Sequence, residues 1–367
     1  MSPRRLVQIA SGFARHDAIS TEMRLLAEYV RGGHARPFTS ALLLAEHLPP
    51  DLQRECGRLD EYQPRAGDVV LIHYSMALDD LERLLGLDVP LCLVYHNITP
   101  PAFYRPYDAL TTGRLLRARD ELPRLLKACR GVFAVSECNA RELHAAGMDD
   151  VRIKPVLARI QFAAPEHSRR EEEPGRLLFV GRFAPNKNHL DLIKIAALLK
   201  SRLPVRLTLA GGYDEHLRAY RQELERAARD LGAADVVEFL PGPDAGTLAR
   251  LYAESRLFVC SSLHEGFCVP LLEAMSAGLP VLALHAEETA VAETMDGAGV
   301  GFRRPRNSRE LLLLAETCAL LLTDEGLRER VVAGQHRRMT RYRPGEIMAR
   351  FFADLVSMLS KPGTSRA

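Results

Sequence analysis

Residues 257–284, LFVCSSLHEGFCVPLLEAMSAGLPVLAL, constrain the fold more than any other stretch of this chain. Leu257 to Ser261 is a short apolar run, the pattern of a parallel strand buried on both faces. A polar turn follows from Ser262 to Cys268. Pro270 stands where a helix can begin, because the first turn has no use for the N–H that proline lacks. Leu271, Leu272, Ala274 and Met275 give that helix an apolar face, and Gly278 with Pro280 stops it. Val281 to Leu284 opens the next strand. Two carboxylates sit in this unit, Glu265 in the loop and Glu273 early in the helix. In an open α/β sheet, ligands bind outside the carboxyl ends of the strands, where a helix N-terminus offers backbone N–H groups to an anion. Taken singly, each carboxylate has an ordinary explanation. Glu273 would complement the helix dipole, and Glu265 would be a solvated loop residue.

The same strand-then-helix alternation runs through the whole chain. In the first half, strands are expected at Arg5 to Ala10, at VVLIHYS after Gly67-Asp68, at Pro90 to Tyr95, at Gly131 to Val135 and at Val151 to Leu157. Helices are expected at Ile19 to Val30, Asp79 to Leu87 and Glu137 to Ala146, the last with Ser136 as its N-cap. The run AAPEHSRREEEPG (163–175) breaks the pattern and reads as a linker. The alternation then restarts with a strand at Arg176 to Val180 and a helix from about Leu190 to Lys200. Strands at Arg206 to Ala210 and Val236 to Leu240 are separated by a helix over Glu215 to Leu231, and a further helix covers Thr247 to Ala253. Beyond the opening stretch come a helix at Glu287 to Met295, a strand at Gly297 to Phe302, and helices at 311–322, 327–339 and 347–359. The expected organisation is therefore a first Rossmann-like domain at 1–162, a linker at 163–175, a second such domain at 176–343, and a terminal helix at 344–367.

Three strand ends carry chemistry. Gly181-Arg182-Phe183-Ala184-Pro185-Asn186-Lys187 opens a helix with a glycine loop and two cations, a natural phosphate site. His96 follows a strand in a loop held by Pro100 and Pro101, and a ligand role and a structural one are about evenly matched there. Gly12 ends the first strand, where it lets the backbone approach a ligand; an ordinary βα turn explains it at least as well.

Composition removes several classes. At 367 residues with 47% hydrophobic and 26% charged content, the chain suits two soluble domains. A net charge of +2 argues against nucleic acid as a partner. The seven cysteines form no CxxC pair and read as reduced, mostly buried thiols of a cytoplasmic protein. No run approaches the roughly 20 apolar residues of a membrane span, so any membrane contact is expected to be peripheral, at the inner surface. The segment 104–130 holds seven Arg/Lys against three Asp/Glu; a solvated helix face explains it better than a membrane-binding surface, since no clean amphipathic pattern accompanies it.

Glu265-Gly266-Phe267-Cys268-Val269-Pro270-Leu271-Leu272-Glu273 resembles the Glu-x7-Glu signature of the family-4 glycosyltransferases. These are retaining, nucleotide-sugar-dependent enzymes of the GT-B type, α/β proteins with two doubly wound parallel-sheet domains facing a cleft; the resemblance implies that the terminal helix at 344–367 crosses back to the first domain. The Gly181-Arg182…Lys187-Asn188 element resembles that family's diphosphate-holding motif. The string YHNITP (95–100) resembles members that build bacterial surface polysaccharides, mannosyltransferases among them. VAET (291–294) resembles the family's Val-Pro-Glu-Thr with Ala292 in place of proline, and HAEE (285–288) lacks its usual glycines.

The resemblance implies catalytic roles for His96, Arg182, Lys187 and Glu265, and donor binding by Gly12, Gly181, Arg182, Lys187, Gly266, Phe267, Cys268, Val269 and Glu273. Glu265 would contact sugar hydroxyls, Glu273 the ribose, and His96 the sugar from the other domain; Glu265 as a nucleophile is the less favoured role. Arg182, Lys187 and the amides from Cys268 to Leu271 would stabilise the departing diphosphate. No DxD-like element ends a strand, so neither a metal nor a cofactor is expected beyond the donor, a GDP- or UDP-linked sugar. The acceptor would be a polysaccharide, lipopolysaccharide or other lipid-linked glycan. A GT-B-fold sugar-nucleotide epimerase and a non-catalytic GT-B partner subunit are the competing readings.

Overall fold

In the computed structural model the described residues are 3–15, 17–159, 175–286 and 289–361. They form two compact units, Met1–Pro101 with Leu110–Arg159 and Tyr342–Ala367, and Ala102–Ala109 with Ile160–Arg341. The expected linker lies outside the described residues except for Gly175, which begins a strand.

The first unit contains β1 (Arg4–Gly12), α1 (Ala18–Arg31), β2 (Phe38–His47), β3 (Gly57–Arg58), β4 (Asp68–Tyr74), α2 (Leu81–Leu85), β5 (Leu91–Tyr95), α3 (Ala109–Ala128), β6 (Gly131–Ala134), α4 (Glu137–Ala145) and β7 (Val151–Ile153). Its parallel sheet runs β3-β2-β1-β4-β5-β6-β7. The second unit contains β8 (Gly175–Val180), α5 (His189–Lys200), β9 (Val205–Gly211), α6 (Arg218–Asp230), β10 (Val237–Pro241), α7 (Ala245–Glu254), β11 (Leu257–Cys260), α8 (Val269–Ser276), β12 (Val281–Leu284), α9 (Val291–Met295), β13 (Val300–Phe302), α10 (Ser308–Thr323) and α11 (Glu325–Met339). Its parallel sheet runs β10-β9-β8-β11-β12-β13. Both are doubly wound α/β sheets. Strand order reverses beside β1 in the first and beside β8 in the second, and such switch points open the crevices in which α/β proteins bind ligands.

Central strands are apolar runs because both of their faces are covered: all seven residues of β4 are buried, as are all four of β11 and of β12. Helix starts follow their caps. Asp17 accepts the N–H of Ser20 at α1, Ser136 that of Asn139 at α4, and Asn307 that of Glu310 at α10.

Helix α12 (Pro344–Ser360) belongs to the first unit. Phe351 meets Phe133 of β6 edge-on at 4.8 Å between centroids, and Phe352 lies 5.8 Å from Phe38 of β2. A Cβ on Gly131 would stand 2.7 Å from Met358 Sδ, so the helix packs closely over β6 at this glycine and a larger residue would have to displace the Met358 side chain.

Several expectations need correction. No strand is expected from the sequence between 34 and 66, yet β2 and β3 extend the sheet there on one side. The single helix expected at Glu215 to Leu231 is a 3₁₀ turn, Glu215–Leu217, followed by α6, because Asp214 caps His216 N–H and sets the shorter turn. The helix expected at 287–295 is described only as α9, and Glu287 and Glu288 lie outside the described residues. Val151 to Leu157 pairs with the sheet only as far as Ile153, since Leu157 turns its N–H to the side chain of Glu22 instead.

Candidate active site

The loop after β8 takes its shape from the loop after β9. Gly181 N–H donates to Ala210 O at 2.9 Å, and Phe183 N–H to Gly212 O at 2.8 Å. Gly211 has φ +153°, and a Cβ there would fall 2.1 Å from Gly181 O. The two backbones are in contact, an approach that a Cβ at Gly211 would block. Arg182 leaves this loop and donates to Tyr104 Oη at 3.0 Å. Tyr104 belongs to the 102–109 segment, which joins the second unit; Tyr107 Oη there donates to Glu223 at 2.8 Å.

The loops after β8 and β11 are stitched together. Leu263 N–H donates to Asn186 O at 2.8 Å, and Asn186 Nδ2 to His264 O at 3.1 Å. Ser261 Oγ donates to the carbonyls of Lys187 and Asn188, at 3.1 and 3.0 Å. Asn188 takes a left-handed conformation, φ 53°, to turn the chain into α5. These bonds bring Lys187 Nζ to 2.7 Å from Glu265 Oε1, with side-chain exposures of only 17% and 12%. Burial alone would lower the Lys187 pKa, but Glu265 together with Cys268 and Cys260 outweighs it and the ammonium is held above its ordinary value. The carboxylate of the β11 loop and the ammonium of the β8 loop are thus one ion pair rather than two independent groups. A third loop, after β12, closes on the same place. Ala290 N–H donates to Glu265 O at 3.0 Å, and Thr294 Oγ1 to Phe267 O at 2.6 Å.

Phe267 and Cys268 are buried, and Cys268 adopts φ 73° as the cap of α8. Of the amides expected to face an anion between Cys268 and Leu271, Leu271 N–H is already bonded to Cys268 O at 3.1 Å and Pro270 has none. Cys268 and Val269 are the remaining candidates. Glu273, one turn further on, accepts from Tyr252 Oη at 2.7 Å through Oε2. Burial raises its pKa, while the tyrosine hydrogen bond opposes that by favouring the carboxylate.

In the first unit, His96 follows β5 and its ring is nearly enclosed. Its Nε2 stands 3.0 Å from His73 Nδ1 and 3.4 Å from Glu22 Oε2. His73 Nε2 is 3.0 Å from Gln8 Oε1, and Glu22 Oε1 takes the Lys154 ammonium and the N–H of Leu157. Burial drives the His96 pKa down to about 4 and that of His73 well below its ordinary value. Gly12 pairs with His47 at the end of β1, and a Cβ there would meet only His47 O at 3.8 Å, so no steric need for glycine exists at that position. In the arginine-rich segment, Arg117 pairs with Asp79 and Glu121, Arg119 with Glu142, and Arg124 with Glu82, which is the solvated, charge-balanced helix face. Among the described residues no helix is long and apolar enough to cross a membrane.

Two groups bring three metal-ligand atom types within 4.8 Å of one another, Glu22/His73/His96 and Cys260/Glu265/Cys268. In each, a lysine ammonium already rests on the carboxylate, which opposes a second cation.

The second unit therefore gathers Gly181, Lys187, Glu265, Phe267 and Cys268 around the β8/β11 switch point, with Arg182 on the same β8 loop and Gly266, Val269 and Glu273 on the β11 loop and its helix. His96 and Gly12 are in the other unit. Tyr104, Tyr252, Ser261 and Thr294 also hold site residues and were not singled out from sequence. VAET was noted by resemblance and marks Thr294; the other three carry no local signal.

Residues 161–337 match the family model of glycosyl transferases group 1. The chain is 30% identical over 202 residues to the O-antigen chain mannosyltransferase B of Escherichia coli, covering 54% of this chain and 42% of that protein. It is 35% identical over 137 residues to a GDP-mannose:cellobiosyl-diphosphopolyprenol alpha-mannosyltransferase of Xanthomonas campestris, covering 36% and 35%. The chain thus aligns with less than half of each of these relatives. Among solved structures, sucrose-phosphate synthase from Thermosynechococcus elongatus superposes with a TM-score of 0.74 at 17% identity, over 97% of this chain and 99% of that one.

Proposed function

We propose that this chain, which belongs to the group 1 glycosyltransferases of the GT-B fold, transfers a hexosyl group from a nucleotide sugar to a glycan or lipid-linked glycan, with retention at the anomeric carbon. The observation that carries the reading is the Lys187–Glu265 pair, which ties the glycine loop of β8 to the Glu-x7-Glu loop of β11 at the sheet's switch point. The hard step is departure of the nucleoside diphosphate, on which negative charge grows. Arg182, Lys187 and the N–H groups of Cys268 and Val269 are the groups this chain offers to that charge. Glu273, oriented by Tyr252, offers two lone-pair-rich oxygens to a ribose diol. Glu265 is assigned a sugar hydroxyl, sharing its charge with Lys187. His96 is assigned a sugar hydroxyl on resemblance. No divalent ion enters this account, because the chain's own cations meet the leaving group.

The similarity to two mannosyltransferases favours mannose from GDP-mannose over a UDP-linked sugar. The test is release of nucleoside diphosphate from GDP-mannose, UDP-glucose and UDP-N-acetylglucosamine, with and without a polyprenyl-diphosphate-linked saccharide, in EDTA. Acceptor-stimulated release with an α-linked product from an α-linked donor supports the reading. Conversion of donor to an epimer without acceptor would replace it with the epimerase, and an inert protein that still binds donor would leave a partner subunit. Loss of turnover in EDTA restored by Mn²⁺ would overturn the metal-free account.

A further inference from the structure

The first unit buries a chain of polar side chains that the donor site does not explain. Gln8 on β1, Glu22 on α1, His73 on β4, His96 after β5 and Lys154 after β7 come from five separate segments and meet around one point. Gln8, Glu22, His73 and Lys154 are almost entirely excluded from solvent. Burying this much polarity is unfavourable unless the groups are mutually satisfied, so the network must be read donor by donor.

The reading has one solution. Gln8 Nε2 donates to Met23 O at 2.9 Å, which fixes the amide and leaves Oε1 as an acceptor. Oε1 lies 3.0 Å from His73 Nε2, so that nitrogen carries the proton. Both imidazoles are neutral near pH 7, since burial holds their pKa values down. His73 Nδ1 is therefore a bare acceptor, and the nitrogen facing it at 3.0 Å, His96 Nε2, must be the donor. Glu22 Oε2, which has no hydrogen bond of its own, lies 3.4 Å from that same Nε2 and favours the proton there. Glu22 meets the Lys154 ammonium through its other oxygen. His96 is left with its lone pair on Nδ1, which has no partner among the described residues and is not among the buried unpaired atoms.

We propose that His73 is a positioning residue: anchored by Gln8, it takes the Nε2–H of His96 and so presents His96 Nδ1 as a fixed hydrogen-bond acceptor for a substrate hydroxyl. The relay is indirect, since His73 itself is buried and touches no substrate. This inference rests on the assignment of His96 to the transferred sugar, and its chemistry is that of a neutral acceptor: Nδ1 receives a hydroxyl proton in a hydrogen bond and no covalent bond changes.

The test is histidine-ring ¹⁵N NMR on the full chain, with turnover measured in parallel on the donor that supports it. In the wild type, His96 is expected as the Nε2–H form with a bare Nδ1. His73→Phe keeps a ring of similar size and removes the acceptor; Gln8→Leu is the milder variant, releasing the His73 proton without touching the His96 contact. In both, His96 is expected to populate two tautomers. Turnover should fall roughly 10-fold or more, as when a partner orienting a functional histidine is lost, with the affinity for nucleoside diphosphate unchanged. His73→Asn, whose side chain retains an acceptor, should recover part of the rate.

A wild-type spectrum with His96 protonated at Nδ1, or a tautomer unmoved in both variants, would overturn the proposal. So would bare nitrogens on both His73 Nδ1 and His96 Nε2 that change on adding EDTA, since that is a bound metal rather than a hydrogen-bond chain. The assignment of His96 fails separately. His96→Ala with full turnover would remove the sugar contact while the spectra still decided whether His73 sets the tautomer.

Discussion

Gly211→Ala isolates the contact that shapes the candidate phosphate loop. A Cβ at this residue would stand 2.1 Å from Gly181 O and 2.5 Å from its carbonyl carbon. Both are backbone atoms, so no side chain can swing aside. Van der Waals contact requires about 1 Å more, and the φ of +153° at Gly211 belongs to a region that residues with a Cβ avoid. Backbone strain of this kind costs about 1–3 kcal/mol. A 1 Å shift also breaks one or two of the bonds joining these loops, among them Gly181 N–H to Ala210 O, Phe183 N–H to Gly212 O and Gly242 N–H to Gly211 O at 2.7 Å. Each is worth about 1 kcal/mol. The sum is roughly 2–5 kcal/mol, and for a domain of this size each kcal/mol lowers the melting temperature by roughly 2–4 °C. Gly212→Ala is the control. Its Cβ would meet only Arg182 Cγ, at an ordinary 3.8 Å, so its effect should stay within about 0.5 kcal/mol. Calorimetric scans of the two variants, with titration of GDP and UDP, read both consequences. The Gly211 variant should melt early and bind nucleoside diphosphate weakly, and the Gly212 variant should match the wild type. Equal melting of all three proteins would refute the steric argument.

Three further outcomes follow from the site. Lys187→Met strands the enclosed Glu265 carboxylate and should destabilise the protein by up to about 3 kcal/mol, while adding Glu265→Gln restores most of that stability and neither variant transfers sugar; urea midpoints that fail to recover in the double variant would show that the ion pair is not the cause. Tyr252→Phe removes the donor that orients Glu273 and should weaken nucleoside diphosphate binding by about 1 kcal/mol, roughly fivefold, by titration calorimetry, and unchanged affinity would count against the ribose role. The imidazole of His96 has its folded pKa depressed to about 4, against about 6.5 when unfolded, so below pH 6.5 the unfolded chain takes up a proton that the folded one refuses. Stability attributable to His96, set among His73, Glu22, Lys154 and Asp17, should therefore fall as pH drops from about 6.5 to 4, by at most roughly 3 kcal/mol, and His96→Gln should flatten that part of the curve.

What could be read without coordinates was whatever repeats locally. Apolar runs such as Val69 to Ile72 and Leu91 to Val94 mark strands because both faces of a parallel sheet are covered, and Gly278 and Ser136 mark helix ends because a cap acts within one turn. β2 carries a run of the same kind, Ala41 to Ala45. Pairings across the fold were not. Lys187 meets Glu265 and Arg182 meets Tyr104, each 78 residues apart, and the Glu22–His73–His96 cluster is assembled by the order of strands in a sheet. Glu273 and Glu265 were recognisable by their spacing, but that Glu265 would be neutralised by Lys187 was not, because spacing says nothing about which loops are stitched together.

Helix α12 has a consequence for how the protein comes into being. On a ribosome, β1 to β7 emerge first, and the whole second unit follows before Pro344–Ser360 can supply Phe351, Phe352 and Met358. Until then Phe133, Phe38 and the surface over Gly131 remain wet. The first unit to be made is thus the last to be finished, although domains generally fold in the order of synthesis. Its completion waits on delivery of the whole second unit, and a chain interrupted anywhere in that unit leaves an exposed aromatic seam on the first for quality control to find.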